Sequence, residues 1–149
     1  MVCTKDIAKL WALRDEKYAV MVVKHDYQTK YPVKYLGQRN EDYPRKNWSS
    51  VILFNCEHHA NRFLTPGYVE RTKGSVLHRM GWLPDELIGE LPIEWNWLAG
   101  EYGKPEVRPG IIHYTIGTPC FNEFRDFDLA EYWHQAHENA NHADQLPRG

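Results

Sequence analysis

The chain has 149 residues, 42% of them hydrophobic and 26% charged, with a net charge of −2, the profile of one globular domain able to bury its own core. A pI near 6.4 gives no basic footprint for nucleic acid, and no apolar run reaches the roughly 20 residues of a membrane span. Cys3, Cys56 and Cys120 lie far apart and offer no disulfide framework; without a signal-peptide pattern either, the expected compartment is the cytoplasm.

Residues 4–14 carry Ile7, Leu10 and Trp11 at helical spacing, with Thr4 placed to cap a helix. The β-branched run Tyr18–Val23 reads as a buried strand. Residues 26–48 are polar and broken by Pro32, Gly37 and Pro44, a loop of the length that usually carries function. Within it Lys30, Lys34, Arg39, Arg45 and Lys46 form a basic run interrupted by Glu41 and Asp42. It reads either as a solvated loop or as a site for a diphosphate.

Val51–Phe54 is a second buried-strand candidate, and residues 58–63 a short helix ending before Pro66-Gly67. Asp85–Ile88 reads as one helical turn begun at Pro84. Residues 100–110 form a turn-rich loop, and Ile111–Ile116 a third strand ended by Gly117 and Pro119. A last helix runs from a cap at Asp128 to about Asn141, its stripe Leu129, Tyr132, Trp133 and Ala136. The tail after His142 is expected to fray. Three strands among helices and long loops predict a single mixed α/β (α+β) domain over 1–149, with a small mixed sheet flanked by helices.

Three segments hold residue types that carry chemistry. In Ile111–Pro119, His113 sits near a strand end with Gly117 four residues on. A neutral imidazole there is able to ligate a divalent metal, and a glycine admits a phosphate close to the backbone. The plainer alternative is a hydrogen-bonded structural histidine. In Tyr43–Val51, Asn47, Trp48, Ser49 and Ser50 lead into a strand; Trp48 offers a stacking surface for a sugar or base, and the serines otherwise satisfy local backbone groups. In Pro84–Trp97, Asp85, Glu86, Glu90, Glu94 and Asn96 stand near Trp95 and Trp97, the mixture of carboxylate and aromatic surface that sugars use. Each carboxylate is otherwise a solvated charge. A fourth group, His134, His137, Glu138 and His142, shares helix faces but lacks the HExxH arrangement. It is the basis of a third reading, a metal-dependent hydrolase.

Taken in this order, the three segments resemble the second half of the A-type glycosyltransferase fold, nearest to family-eight retaining enzymes such as glycogenin and bacterial galactosyltransferases. That family carries a His-aromatic-x-Gly-x-x-Lys-Pro-Trp motif, similar to His113–Phe121 here, although no Lys stands between Gly117 and Phe121. Its Phe-Asn-Ser-Gly-Val is similar to Asn47–Val51, and its Leu-Pro-x-x-Tyr-Asn to the polar-aromatic stretch Pro92–Trp97. The resemblance implies transfer of a sugar from a nucleoside-diphosphate sugar to a hydroxyl of a glycan or other acceptor. It implies His113 as a ligand of Mn²⁺ or Mg²⁺. It further implies Asp85 as a sugar-contacting or catalytic-loop residue, with Asn47, Trp48, Ser49, Ser50, Glu94, Asn96 and Gly117 on the donor and acceptor side. The family's Asp-x-Asp, which closes an apolar strand just before a segment resembling Thr4–Trp11, has no counterpart ahead of that segment, where only Met1-Val2-Cys3 stand. The expectation is a chain that begins just after that motif. The competing reading is a non-catalytic carbohydrate-binding or protein-interaction remnant, which predicts a homo-oligomer through apolar surface left uncovered.

Overall fold

A computed structural model describes residues 1–143. The chain is a mixed α/β domain with two small three-stranded sheets and a separate hairpin. In chain order the elements are β1 (Val2–Cys3), α1 (Ile7–Trp11), β2 (Val20–Val22), β3 (Val33–Lys34), β4 (Gln38–Arg39), β5 (Ile52–Phe54), α2 (Pro66–Arg71), α3 (Gly74–His78), β6 (Ile88–Glu90), β7 (Trp97–Ala99), β8 (Ile111–Tyr114) and α4 (Ala130–Ala143). Six 3₁₀ segments link them.

β2 is the centre of one sheet. It pairs antiparallel with β5 and parallel with β6, setting Met21 opposite Leu53 and Gly89. Its three residues are buried on both faces, as the unbroken apolar run predicts. One face packs Val20 and Val22 on Met80, Leu83 and Ile88; the other packs Met21 on Leu91, Trp95 and Ile111. β8 is the centre of the second sheet, antiparallel to β1 and parallel to β7. Ile112, Tyr114 and Ala99 meet the stripe Leu129, Tyr132, Trp133 and Ala136 of the last helix, the stripe that its 3.6-residue spacing predicts. The 3₁₀ turn Ile93–Asn96 carries the chain from the β6 sheet to the β7 sheet. Trp95 and Asn96 are thereby buried at the seam between the two.

Several expectations are corrected in detail. Eight short strands stand where three are expected, because β1, β3, β4, β6 and β7 have only two or three residues each and depend on their partners. α1 is capped by Asp6, whose carboxylate accepts the Ala8 N–H at 2.9 Å, in place of Thr4, whose hydroxyl donates to the Pro109 carbonyl. Only Leu10 of the α1 stripe is buried; Ile7 and Trp11 each expose 56% of their surface. β5 is an edge strand and only half-buried. The Asp128 carboxylate accepts the Gly100 N–H at 2.9 Å. The turn at Asp85–Leu87 forms as expected. The predicted fraying after His142 concerns a segment that, beyond Ala143, lies outside the described residues. Among those residues no helix is long and apolar enough to cross a membrane.

Candidate functional site

The chain that leaves the C-terminal end of β2 turns polar at once, and His25 and Tyr27 face the seam between the sheets. Asn96 reaches the same place from the 3₁₀ turn and exposes 0% of its surface. Its Nδ2 lies 2.7 Å from the Ser50 hydroxyl, 2.9 Å from His25 Nε2 and 3.1 Å from the Asn47 carbonyl. With Asn96 donating to Nε2, the His25 proton sits on Nδ1, which lies 2.6 Å from the Tyr102 oxygen. The knot is closed by Ser50, whose hydroxyl donates to the Asn47 carbonyl at 2.6 Å, and by Asn47, whose amide donates to the Tyr27 oxygen at 2.7 Å. Trp48 donates its indole N–H to the His25 carbonyl at 3.0 Å.

Burial sets the protonation of this knot. It lowers the His25 pKa to about 4, helped by His113 nearby. It lowers that of His113 to about 4 as well, helped by the charged amino group of Met1. Both imidazoles are therefore neutral at pH 7. The Tyr102 hydroxyl is raised to about 12 by burial and by the charge of Glu101, and Tyr27 is raised further for the same two reasons. Both phenols keep their protons and remain donors. Glu101 is 3% exposed, and the Lys30 N–H donates to its Oε2 at 2.9 Å. Asn96 Oδ1, Trp97 Nε1, Glu101 Oε1, His113 Nδ1 and Thr115 Oγ1 are all buried without a hydrogen-bond partner. Five such atoms on residues 96–115 form an unusual concentration, since buried polar groups are nearly always paired.

Against this knot lies a pocket of about 310 Å³ lined by Lys34, Arg39, Asn40, Glu41, Tyr43, Lys46, Asn47 and Thr115. The hairpin of β3 and β4 supplies Lys34 and Arg39; Thr115 follows β8 on the face that His113 shares by the two-residue alternation of a strand. Lys46 is buried, and its ammonium donates to the Thr29 hydroxyl and, at 2.8 Å, to Asn40 Oδ1, with Asp42 at 3.6 Å. Arg39 lies 3.2 Å from Glu41 in solvent, where such a pair is worth little. Three cations against one lining carboxylate leave the pocket basic.

The structure thus brings Asn47, Ser50, Asn96 and His113 to one place and sends the other candidates elsewhere. Trp48 is adjacent, but its ring packs into the core and is flanked by Lys24 and Arg45 at 5.9 and 5.7 Å. Ser49 turns to His78 at 3.1 Å. Asp85 is exposed and pairs with Arg45 at 2.5 Å, while Arg45 also donates to the Arg79 and Met80 carbonyls. Glu94 pairs with Lys5 at 2.7 Å. Gly117 faces the Phe124 ring, which any Cβ there would overlap, so an aromatic side chain occupies the space assigned to a phosphate. Gly117→Ala is expected to cost about 1–3 kcal/mol of stability by overpacking with ligand affinity at the basic pocket unchanged; thermal melting and titration together check this.

The chain contains one Asp-x-Asp, Asp126-Phe127-Asp128, far beyond the segment Thr4–Trp11 that the family's motif precedes. It follows β8, Asp126 is exposed, and Asp128 is engaged with Gly100. Among the described residues no three His, Cys, Asp or Glu side chains come together as a metal requires. His113 is therefore not part of a group of three such side chains among the described residues. The group His134, His137, Glu138 and His142 makes no such cluster either: His134 lies 2.9 Å from the Arg125 carbonyl, and His137 stacks on Trp133. Sequence reasoning missed His25, Tyr27, Glu101, Tyr102 and Thr115. The available signal was position, since His25-Asp26-Tyr27 directly follows the most apolar strand.

The chain is similar to Protein CDI of Arabidopsis thaliana, with 43% identity over 140 residues that cover 91% of this chain and 54% of that protein. It spans about half the length of that curated relative. No family model matches the chain, and no solved structure matches it.

Proposed function

We propose that this chain binds a nucleoside-diphosphate sugar and belongs to the machinery that transfers the sugar to an acceptor hydroxyl. The observation that carries the reading is the basic pocket built on the polar knot. Lys34 and Arg39 line it from the surface hairpin, Lys46 adds a third cation that is held by Thr29 and Asn40, and Thr115 brings a hydroxyl without a partner. Fixed cations around a leaving diphosphate offset its growing charge as the glycosidic bond breaks, the largest contribution a protein makes to such a reaction. The knot beneath would keep Asn47 in place, because its carbonyl and its amide are both already bonded. The similarity to the glycosyltransferase motifs supports the same reading, through Asn47, Ser50, Asn96 and His113.

A second reading, binding without transfer, draws on the position of His113. Its Nδ1 has no hydrogen-bond partner, and among the described residues it is not part of a group of three His, Cys, Asp or Glu side chains, which favours contacts to a donor without transfer.

Calorimetric titration with UDP-glucose, UDP-galactose and GDP-mannose tests the proposal. At least one is expected to bind at low ionic strength and to weaken as salt rises. The double variant Lys34→Ala with Arg39→Ala, two residues of the surface hairpin, is expected to bind about tenfold more weakly, equivalent to about 1.4 kcal/mol. The reading fails if none of the three binds, or if the double variant binds as well as the parent. Transfer to an acceptor by the same preparation separates the first reading from the second.

A further inference from the structure

A second cavity, about 690 Å³ and larger than the basic pocket, lies at the other end of β2. Tyr18, which lines it, precedes that strand, and His25 of the knot follows it. Six residues of near-extended chain separate the two, roughly 20 Å. The cavity is formed by the end of α1, the turn before β2, and the segment Phe54–His59 that leaves the edge strand β5.

Its chemistry is the reverse of the basic pocket. Asp15, Glu16 and Glu57 supply three carboxylates, and Arg14 is the single Lys or Arg on the lining. Aromatic surface stands between them. Trp11 exposes 56% of its surface even with the Arg14 guanidinium 5.1 Å from its ring centroid, and Phe54 exposes 40%. An indole left this open in a concavity is a large apolar surface still in contact with water. Anionic ligands are repelled by the carboxylates. A saccharide without charge matches both parts of the lining: its C–H face packs on an indole, and its hydroxyls donate to carboxylate oxygens, which act only as acceptors.

We infer that this groove, bordered by Trp11 and the carboxylates of Asp15, Glu16 and Glu57, is a binding site for a neutral oligosaccharide, separate from the basic pocket. The inference goes beyond the donor reading and does not depend on it.

The test is titration of the ¹⁵N-labelled chain with neutral hexasaccharides of glucose (α- and β-linked), xylose and mannose, following the indole N–H signals of the six tryptophans. Trp11→Ala identifies the Trp11 signal. With at least one hexasaccharide that signal is expected to move saturably while the Trp48 signal stays still. Trp11→Ala is expected to weaken binding more than tenfold and Glu57→Gln several-fold, both with unchanged affinity for nucleotide sugars. Trp11 and Glu57 are exposed, and unchanged melting curves verify that the variants fold. Failure of all four hexasaccharides to move the signal overturns the inference, as does undiminished binding by Trp11→Ala, or a groove that takes hexalysine and no saccharide. Loss of nucleotide-sugar binding in the Lys34→Ala, Arg39→Ala variant with saccharide binding intact separates the two sites.

Discussion

Between pH 6.5 and pH 4 the protein is expected to lose about 6 kcal/mol of stability. His25 and His113 each have a folded pKa lowered to about 4, first by burial, against about 6.5 in an unfolded chain. In this window the unfolded state binds more protons than the folded state, so stability falls as pH falls. The contribution is fully present above pH 6.5 and declines toward the folded pKa. Each histidine accounts for about 3 kcal/mol, and a domain of this kind has about 5–15 kcal/mol in all. Asp42 acts in the same direction: its carboxyl is lowered, first by the Thr29 hydroxyl, and in acid it loses that bond. Urea titrations across this pH range measure the slope, which should correspond to nearly two protons. His25→Gln and His113→Gln should each remove about half of it. A stability that stays level between pH 6.5 and 5 would contradict the buried, neutral state of both rings.

Asn96→Leu is the substitution with the largest expected cost. Leucine keeps the branched skeleton and is larger, so the seam stays filled, but the change takes the amide donor from His25 Nε2, the Asn47 carbonyl and the Ser50 hydroxyl together. Leaving a buried acceptor unpaired costs about 1–3 kcal/mol. Ser50 still donates to Asn47, and His25 still meets Tyr102, so the total is set at about 3–5 kcal/mol rather than the full sum. For a chain of this size that is a fall of about 10–15 °C in Tm. Asn96 Oδ1 has no partner, so no acceptor is missed. Ser49→Ala, in the same 3₁₀ turn as Ser50 but with its hydroxyl turned away to His78, should change Tm by less than about 2 °C. Comparable melting of the two variants would show that the knot does not hold the sheets together.

The elements with a long or uniform pattern were legible in the sequence. The run through Val20–Val22 is apolar on both faces because helices, loops and a second sheet cover it. The stripe Leu129, Tyr132, Trp133 and Ala136 repeats at helical spacing, and it meets the β8 sheet as that spacing requires. β1, β6 and β7 were not legible. Two or three residues carry no periodicity, and Gly89 in the middle of β6 has no strand preference of its own; it is held there by pairing with Met21. The caps failed for a related reason. Thr4 and Asp128 are both competent caps, and each is drawn to a distant backbone group, Pro109 and Gly100.

For the site, the sequence determined residue types and three segments, and with them the expectation that Asn47, Ser50, Asn96 and His113 matter. It also determined the basic run from Lys30 to Lys46. Tertiary structure decided which of these meet. Asn96 lies 46 residues beyond Ser50 and 71 beyond His25, a separation at which nothing in local pattern specifies contact. Their meeting depends on a 3₁₀ turn that crosses from one sheet to the other and buries the amide where water is excluded. Asp85, Glu94 and Gly117 have equally suitable chemistry, but Arg45, Lys5 and the Phe124 ring reach them first. A charged or small residue becomes a site only where the fold leaves it without a nearer partner, and that is set by contacts between segments far apart in the chain.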